Sequence, residues 1–136
     1  MRIALEEGEG LIADVFEAMK IERSAFLRML KEAFPELTSE LNKQQGLLHF
    51  ELSEFRKYTN KLIYAEEKEL VKNCFYLAER AYLYGNLKLK TAIDVSYVED
   101  LDFQSKDWAW QILPASLKTL YVSFHKRDGS SQDGKK

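Results

Sequence analysis

The stretch Asn-Leu-Lys-Leu-Lys-Thr-Ala-Ile-Asp-Val-Ser-Tyr-Val-Glu-Asp-Leu-Asp-Phe, residues 86–103, decides the fold. Drawn as a helix at about 100° per residue, its apolar side chains leave no wide polar gap. A helix without a polar face has to be buried, so we predict that other helices pack around this segment from several directions. Asp94 is the exception, because it lies between Leu101 and Val98 on the helical wheel.

The rest of the chain carries the helical period, with two prolines and no long alternating strand pattern. We predict an all-α fold, a compact helical bundle of about seven helices around the buried central helix 86–103. Residues 1–125 are expected to form this single domain, with 1–21 as an N-terminal extension that carries its own helix at 11–19. The tail 126–136 has no apolar residue and is expected to be flexible. The other predicted helices are 24–34, 36–43, 47–63, 66–84, 108–113 and 114–125. We expect Gly85 to end helix 66–84 as a C′ residue and Asn86 to cap the central helix.

Charge and composition exclude several classes of function. The chain has 20 basic and 22 acidic residues, and its net charge of −2 argues against a nucleic-acid partner. No apolar run approaches the roughly 20 residues of a membrane span, and the first residues are acidic, unlike a secretory signal. We therefore expect a cytoplasmic protein. Cys74 is the only cysteine, which rules out an intrachain disulfide and favours a small core residue.

No motif predicts catalysis or a cofactor. The sequence contains no phosphate-binding loop, no dinucleotide-binding turn and no nucleophile elbow. Its two histidines are His49, on the polar side of a predicted helix, and His125, at a helix end where a protonated ring favours the dipole. Neither has metal-ligand spacing with a neighbouring acid. We predict no catalytic residue, no metal and no cofactor.

Two carboxylates interrupt apolar faces of predicted helices. Glu51 lies between Leu47 and Phe55 on its helix, and Asp94 lies on the central one. A buried acid has to be paired, hydrogen-bonded or neutralised. Two interpretations stay open: each acid accepts hydrogen bonds that fix how helices cross, or the two form a paired acid site. The candidate buried polar residues are Glu51, Asp94, Ser96, Tyr97 and Glu99, and the candidate partners for the two acids are Arg80, Tyr97 and Tyr58.

A second candidate region combines acids with aromatic side chains. It contains Asp100, Asp102, Phe103, Trp108 and Trp110. Aromatic anchors beside acids suit a protein interface, where tryptophan is enriched at hot spots. Most tryptophans of a small domain nevertheless belong to the core, so both interpretations remain.

A set of short motifs resembles a family of small uncharacterised bacterial helical proteins over roughly residues 22–125. These motifs are Phe34-Pro35-Glu36-Leu37, Leu47-Leu48-His49-Phe50-Glu51, Gly85-Asn86, Ala92 to Phe103 and Trp108 to Pro114. The resemblance implies a cytoplasmic all-α domain and, more loosely, a similarity to immunity-type proteins of bacterial toxin systems. It assigns no role to any residue.

Three functional interpretations follow. The first is a non-enzymatic protein-binding domain, in one form an immunity-type inhibitor of a basic toxin. The second is a small-ligand-binding or enzymatic domain with its site around Glu51 and Asp94. The third is a structural or regulatory homodimer.

Overall fold

The computed structural model describes residues 20–127, and this part of the chain is all-α, which confirms the predicted fold class. The elements are α1 (Arg23–Ala33), a 3₁₀ turn (Pro35–Leu37), α2 (Thr38–Asn42), α3 (Leu48–Tyr64), α4 (Lys68–Tyr84), α5 (Leu87–Ala92), a π segment (Ile93–Val98), α6 (Asp107–Ile112) and α7 (Ala115–Arg127). None of the helices in this range is long and apolar enough to cross a membrane. The predicted helix 11–19 and the predicted tail beyond residue 127 lie outside the described residues.

The central segment is the main correction to the sequence prediction, which expected one continuous helix. Helix α5 ends at Ala92. The following turns are π-helical, as in the bond from the Glu99 N–H to the Asp94 carbonyl at 3.3 Å. A π turn holds more residues than an α turn, so the 100° wheel stops describing the segment after Ala92.

The central segment is also buried on one side and not all round. Leu87 and Val95 are exposed, whereas the sequence placed both inside the bundle. The buried side faces α3, α4 and α7. Its core residues are Leu89, Ala92, Ile93, Tyr97, Val98 and Leu101.

Aromatic rings join this segment to α3 and α1. Phe55 of α3 stacks on Tyr97 with ring centroids 4.5 Å apart, and Phe26 of α1 meets Phe55 edge-on at 6.1 Å. All three side chains are fully buried. Such ring pairs contribute about 0.5–1.5 kcal/mol each beyond the area they bury. The π segment is therefore anchored in the centre of the core through Tyr97.

A backbone seam connects the start of the described chain to its middle. The Ile21 N–H donates to the Tyr84 carbonyl at 2.9 Å, and the Asn86 N–H donates to the Ile21 carbonyl at 2.9 Å. Asn86 also caps α5, since its side-chain oxygen accepts from the Leu89 N–H at 3.0 Å, as the sequence predicts. Ile21 therefore lies beside the junction of α4 and α5.

Gly85, at this junction, is required for a different reason from the one the sequence suggests. The prediction is a left-handed residue that ends the helix, but its φ is −79°, which any residue adopts. A Cβ at Gly85 would lie 2.3 Å from the Ala81 carbonyl oxygen and 2.9 Å from Leu89 Cδ2. Glycine is needed because the backbone and Leu89 approach so closely.

Candidate functional site

Glu51, the first of the two misplaced acids, lies in the first turn of α3 and pairs with Arg23 of α1. Arg23 Nε donates to Oε1 at 2.8 Å, and Nη2 donates to Oε2 at 2.5 Å. The Glu51 side chain is 1% exposed and that of Arg23 is 41% exposed. The bonds to Glu51 raise the pKa of Arg23, a change that burial partly opposes. Both carboxylate oxygens are occupied, so this geometry favours the structural interpretation of Glu51.

Asp94, the second acid, and Ser96 lie on the π segment. Asp94 is half-buried, and its backbone carbonyl accepts the π-type bond from Glu99. The Ser96 hydroxyl lies 2.6 Å from His49 Nδ1. His49 is exposed in the first turn of α3, as the sequence predicts, and its contact with Ser96 attaches the π segment to the start of α3.

Tyr97 is buried in the core and hydrogen-bonded there. Thr59 Oγ1 donates to the Phe55 carbonyl at 3.0 Å and lies 2.9 Å from the Tyr97 hydroxyl. Because the threonine proton is used on Phe55, the Tyr97 hydroxyl is the donor to Thr59. Burial raises the pKa of Tyr97 well above its ordinary value. Tyr97 is therefore a neutral, satisfied core residue.

Glu99 and Asp100 follow the π segment, where the chain turns. His125 Nε2 lies 3.2 Å from the Glu99 carbonyl, so the ring holds the end of α7 against this turn. Asp100 is exposed and accepts from Arg56 Nη1 at 3.2 Å. An ion pair at the surface contributes little to stability.

Asp102 belongs to a tight turn that is bound to α3. Its N–H donates to Asn60 Oδ1 at 2.9 Å, and its carboxylate accepts from the Gln104 N–H at 3.0 Å. Gln104 Nε2 donates in turn to the Asn60 carbonyl at 3.0 Å. Gln104 and Ser105 both have positive φ, 55° and 60°. Asn60 thus fixes the acidic turn in one conformation.

The three aromatic residues predicted as interface anchors are all half-buried. Phe103 meets Trp110 at 5.4 Å and Tyr121 of α7 at 5.2 Å, in edge-to-face geometry. Trp108 lies under the Lys68 ammonium, 5.4 Å from the ring centroid, and its indole N–H is buried without a hydrogen-bond partner among residues 20–127. These rings close one end of the bundle, and each keeps part of its surface in solvent.

A surface cleft of about 510 Å³ lies between the 3₁₀ turn, α2 and α3. Its acids have partners: Glu36 accepts from the Tyr58 hydroxyl, Glu40 from Lys43, and Glu54 from Lys57. The bond from Tyr58 lowers the pKa of Glu36. Within residues 20–127 no group of three or more histidine, cysteine, aspartate or glutamate side chains could hold a metal ion. The cleft therefore presents paired charges. It is lined by Glu36, Leu37, Glu40, Glu54, Lys57, Tyr58 and Lys61.

The outer side of α4 carries a group of exposed apolar and aromatic side chains that we name the tyrosine–arginine face. Arg80 lies between two tyrosine rings, with its guanidinium carbon 5.8 Å from the Tyr76 centroid and 5.4 Å from the Tyr84 centroid. The face consists of Tyr76 (56% exposed), Arg80, Leu83 (43%) and Tyr84 (55%).

Sequence reasoning missed this face. It considered Arg80 only as a candidate partner for Glu51 or Asp94. The signal was present as the spacing Tyr76, Arg80, Tyr84, because residues four apart are neighbours on a helix surface. Whether these side chains are exposed depends on which side of α4 faces α3, and the periodicity of one helix does not contain that information.

The comparisons with known proteins agree with an uncharacterised family. No curated protein and no solved structure matches the chain. Residues 27–127 match the family described as "Domain of unknown function (DUF7674)". Since this match spans well over half of the sequence, the chain belongs to that family of unknown function.

Proposed function

We propose that this chain is a non-enzymatic protein-binding domain and that the tyrosine–arginine face is its docking surface. The observation that carries the proposal is the composition of the face. Two exposed tyrosines hold an arginine between them on the outside of α4, and the exposed Leu83 lies three residues after that arginine on the same helix. Tyrosine and arginine are the residue types, with tryptophan, that dominate binding energy at protein interfaces.

The face is also preorganised for binding. Helix α4 has 17 residues, and its inner side is fixed in the core by Val71, Cys74, Phe75, Ala78 and Ala81. The cation–π contacts restrict Arg80 before any partner arrives. Side chains that are already ordered lose less entropy on association, so more of the contact energy remains as affinity.

Within this class we propose an immunity-type role, in which the partner is a basic toxin. The acidic turn with Asp100 and Asp102 supports a basic partner, because it is exposed and is held rigid by Asn60. Charge complementary to that of a partner mainly increases the rate of association. Expression of this chain together with a toxic neighbouring gene product should then restore growth.

The enzymatic alternative has less support from the geometry. A reaction centre at Glu51 needs a carboxylate that substrate can reach. The Glu51 side chain is 1% exposed, and both of its oxygens accept from Arg23.

The docking surface can be tested by affinity capture from host cells with the full chain and two variants. We expect a partner to be recovered with wild type and lost with the double variant Tyr76→Ser/Tyr84→Ser. The control is Tyr64→Ser, because Tyr64 is a 73% exposed tyrosine on α3 and outside the face. Surface substitutions of this kind change stability by about 0.5 kcal/mol or less, so all three proteins should fold. Recovery of the same partner with the double variant would reject this surface.

A further inference from the structure

We propose that Ser96 is a nucleophilic serine, activated by His49, that accepts an acyl group from an activated ester. This covalent site lies where the π segment meets the first turn of α3. It goes beyond the proposed docking function, because it uses other residues and a different chemistry.

The distance between the two side chains carries the first step. Ser96 Oγ lies 2.6 Å from His49 Nδ1, although the residues are 47 apart in sequence. A serine hydroxyl is a weak nucleophile until a base within hydrogen-bond reach, about 2.6–3.2 Å, takes its proton. In the imidazole tautomer that carries its proton on Nε2, Nδ1 accepts from the Ser96 hydroxyl. The pair therefore has the spacing of a nucleophile and its base.

The direction of the Ser96 hydroxyl is the second step. A hydroxyl on a helix often donates to the carbonyl four residues earlier, as Thr59 does to Phe55 and Thr119 does to Ala115. In the described part of the chain the hydrogen-bond partner of Ser96 is instead His49. The hydroxyl is thus directed at a base and not at the backbone of its own helix.

Buried neighbours hold both side chains in place. Tyr97, next to Ser96, is fully buried and stacks on Phe55 at 4.5 Å. Glu51, two residues after His49, is 1% exposed and is bound by Arg23. A nucleophile and a base that are already positioned do not have to be ordered when the reagent arrives. The fold therefore keeps the pair together before any donor binds.

The pair is open to a reagent from solvent. His49 is exposed and Ser96 is half-buried. Each has an exposed apolar neighbour in the chain, Phe50 (57% exposed) after His49 and Val95 (43%) before Ser96. These neighbours favour a donor with a small apolar acyl group and an aromatic leaving group, which is why we infer an activated ester.

The reaction forms one bond and breaks one. Ser96 Oγ forms a bond to the carbonyl carbon of the ester, while its proton moves to His49 Nδ1 and from the imidazole to water. The bond between that carbon and the leaving oxygen breaks. With p-nitrophenyl acetate as the donor, the products are O-acetylated Ser96 and p-nitrophenolate.

Acetylation of the full chain by p-nitrophenyl acetate, followed by mass spectrometry of its peptides, tests the proposal. We expect Ser96 to be acetylated at least about tenfold faster than Ser39, an exposed serine of the same chain, since a positioned base accelerates proton transfer by about 10²–10⁴-fold. His49→Gln should remove this advantage, and Ser96→Ala should leave no acetylated residue in that peptide.

The matched control is Ser53→Ala, which removes another half-buried serine, one helical turn after His49 on α3. Acetylation of Ser96 should continue at the wild-type rate in this variant. Circular dichroism of each variant shows whether the fold is retained. Acetylation of Ser96 no faster than that of Ser39, or equally fast in a folded His49→Gln variant, would overturn the proposal. Acetyl groups found on lysines alone would overturn it as well.

Discussion

Arg23 and Glu51 are 28 residues apart in sequence and form a two-pronged ion pair that joins α1 to the first turn of α3. The pair is asymmetric, because solvent reaches the guanidinium side and hardly reaches the carboxylate. Gly46 contributes to this arrangement, since it has a φ of 83° and lies next to the Arg23 side chain. The loop before α3 therefore turns in a way that leaves the guanidinium beside Glu51.

This asymmetry predicts unequal effects of removing either partner. Arg23→Ala leaves a buried carboxylate without its partner and should lower the free energy of unfolding by about 3 kcal/mol. Glu51→Gln leaves an arginine that can turn into water and should cost about 1 kcal/mol. Urea denaturation of both variants measures the difference. Equal losses, or a larger loss for Glu51→Gln, would contradict this account of the pair.

The bond from Tyr58 to Glu36 predicts a pH-dependent contribution to stability. It lowers the pKa of Glu36 below the ordinary 4.5. The stabilisation is therefore present above pH 4.5 and is lost as pH falls through the lowered pKa. Glu36 is exposed, so Tyr58→Phe should cost only roughly 0.5 kcal/mol at neutral pH. The difference between wild type and Tyr58→Phe in urea denaturation should shrink in acid, and a difference independent of pH would refute the assignment.

The two glycines within residues 20–127, Gly46 and Gly85, should respond differently to replacement by asparagine. Gly85→Ala forces a Cβ to within 2.3 Å of a carbonyl oxygen and should cost about 2–3 kcal/mol. Gly46→Ala meets no close contact but must adopt a φ of 83°, at about 1–2 kcal/mol. Asparagine tolerates positive φ, so Gly46→Asn should recover much of the loss and Gly85→Asn should not. Thermal melts of the four variants make the comparison.

Two buried groups that ionise in alkali, the thiol of Cys74 and the phenol of Tyr97, predict a loss of stability at high pH. Burial raises the pKa of Cys74 from 9.0 to about 12, and burial also raises that of Tyr97. Both groups stay protonated in the folded state after they have ionised in the unfolded state. Stability should therefore be unaffected below pH 9 and fall between pH 9 and 12. In the native protein at mildly alkaline pH, Cys74 should react with a disulfide reagent only as fast as the chain unfolds. Rapid labelling would show an accessible thiol.

The long helices could be predicted from the sequence because each has one clear apolar stripe. Helices α3 and α4 were placed within two residues of their observed bounds, and the Asn86 cap was identified from its residue type and position. The central segment was harder. The helical wheel assumes α geometry along the whole segment. The change to π geometry at Ile93 comes from packing, which leaves no signal in local propensity.

The partner of Glu51 could not be identified from the sequence, since it depends on how α1 and α3 cross. Arg80 was considered because it is a basic residue on a neighbouring helix, yet it lies on the outer side of α4 between two tyrosines. Which of several arginines meets a buried acid is a tertiary property that periodicity on a single helix does not contain.

The π segment has a consequence for how this chain can change over evolutionary time. Because its bonds span five residues instead of four, it contains one residue more than an α-helix needs over the same turns. A lineage that lost one codon between Ile93 and Val98 could keep Leu89 and Leu101 in the core by reverting to α geometry. The contact between His49 and Ser96 lies in the stretch whose register such a deletion would change.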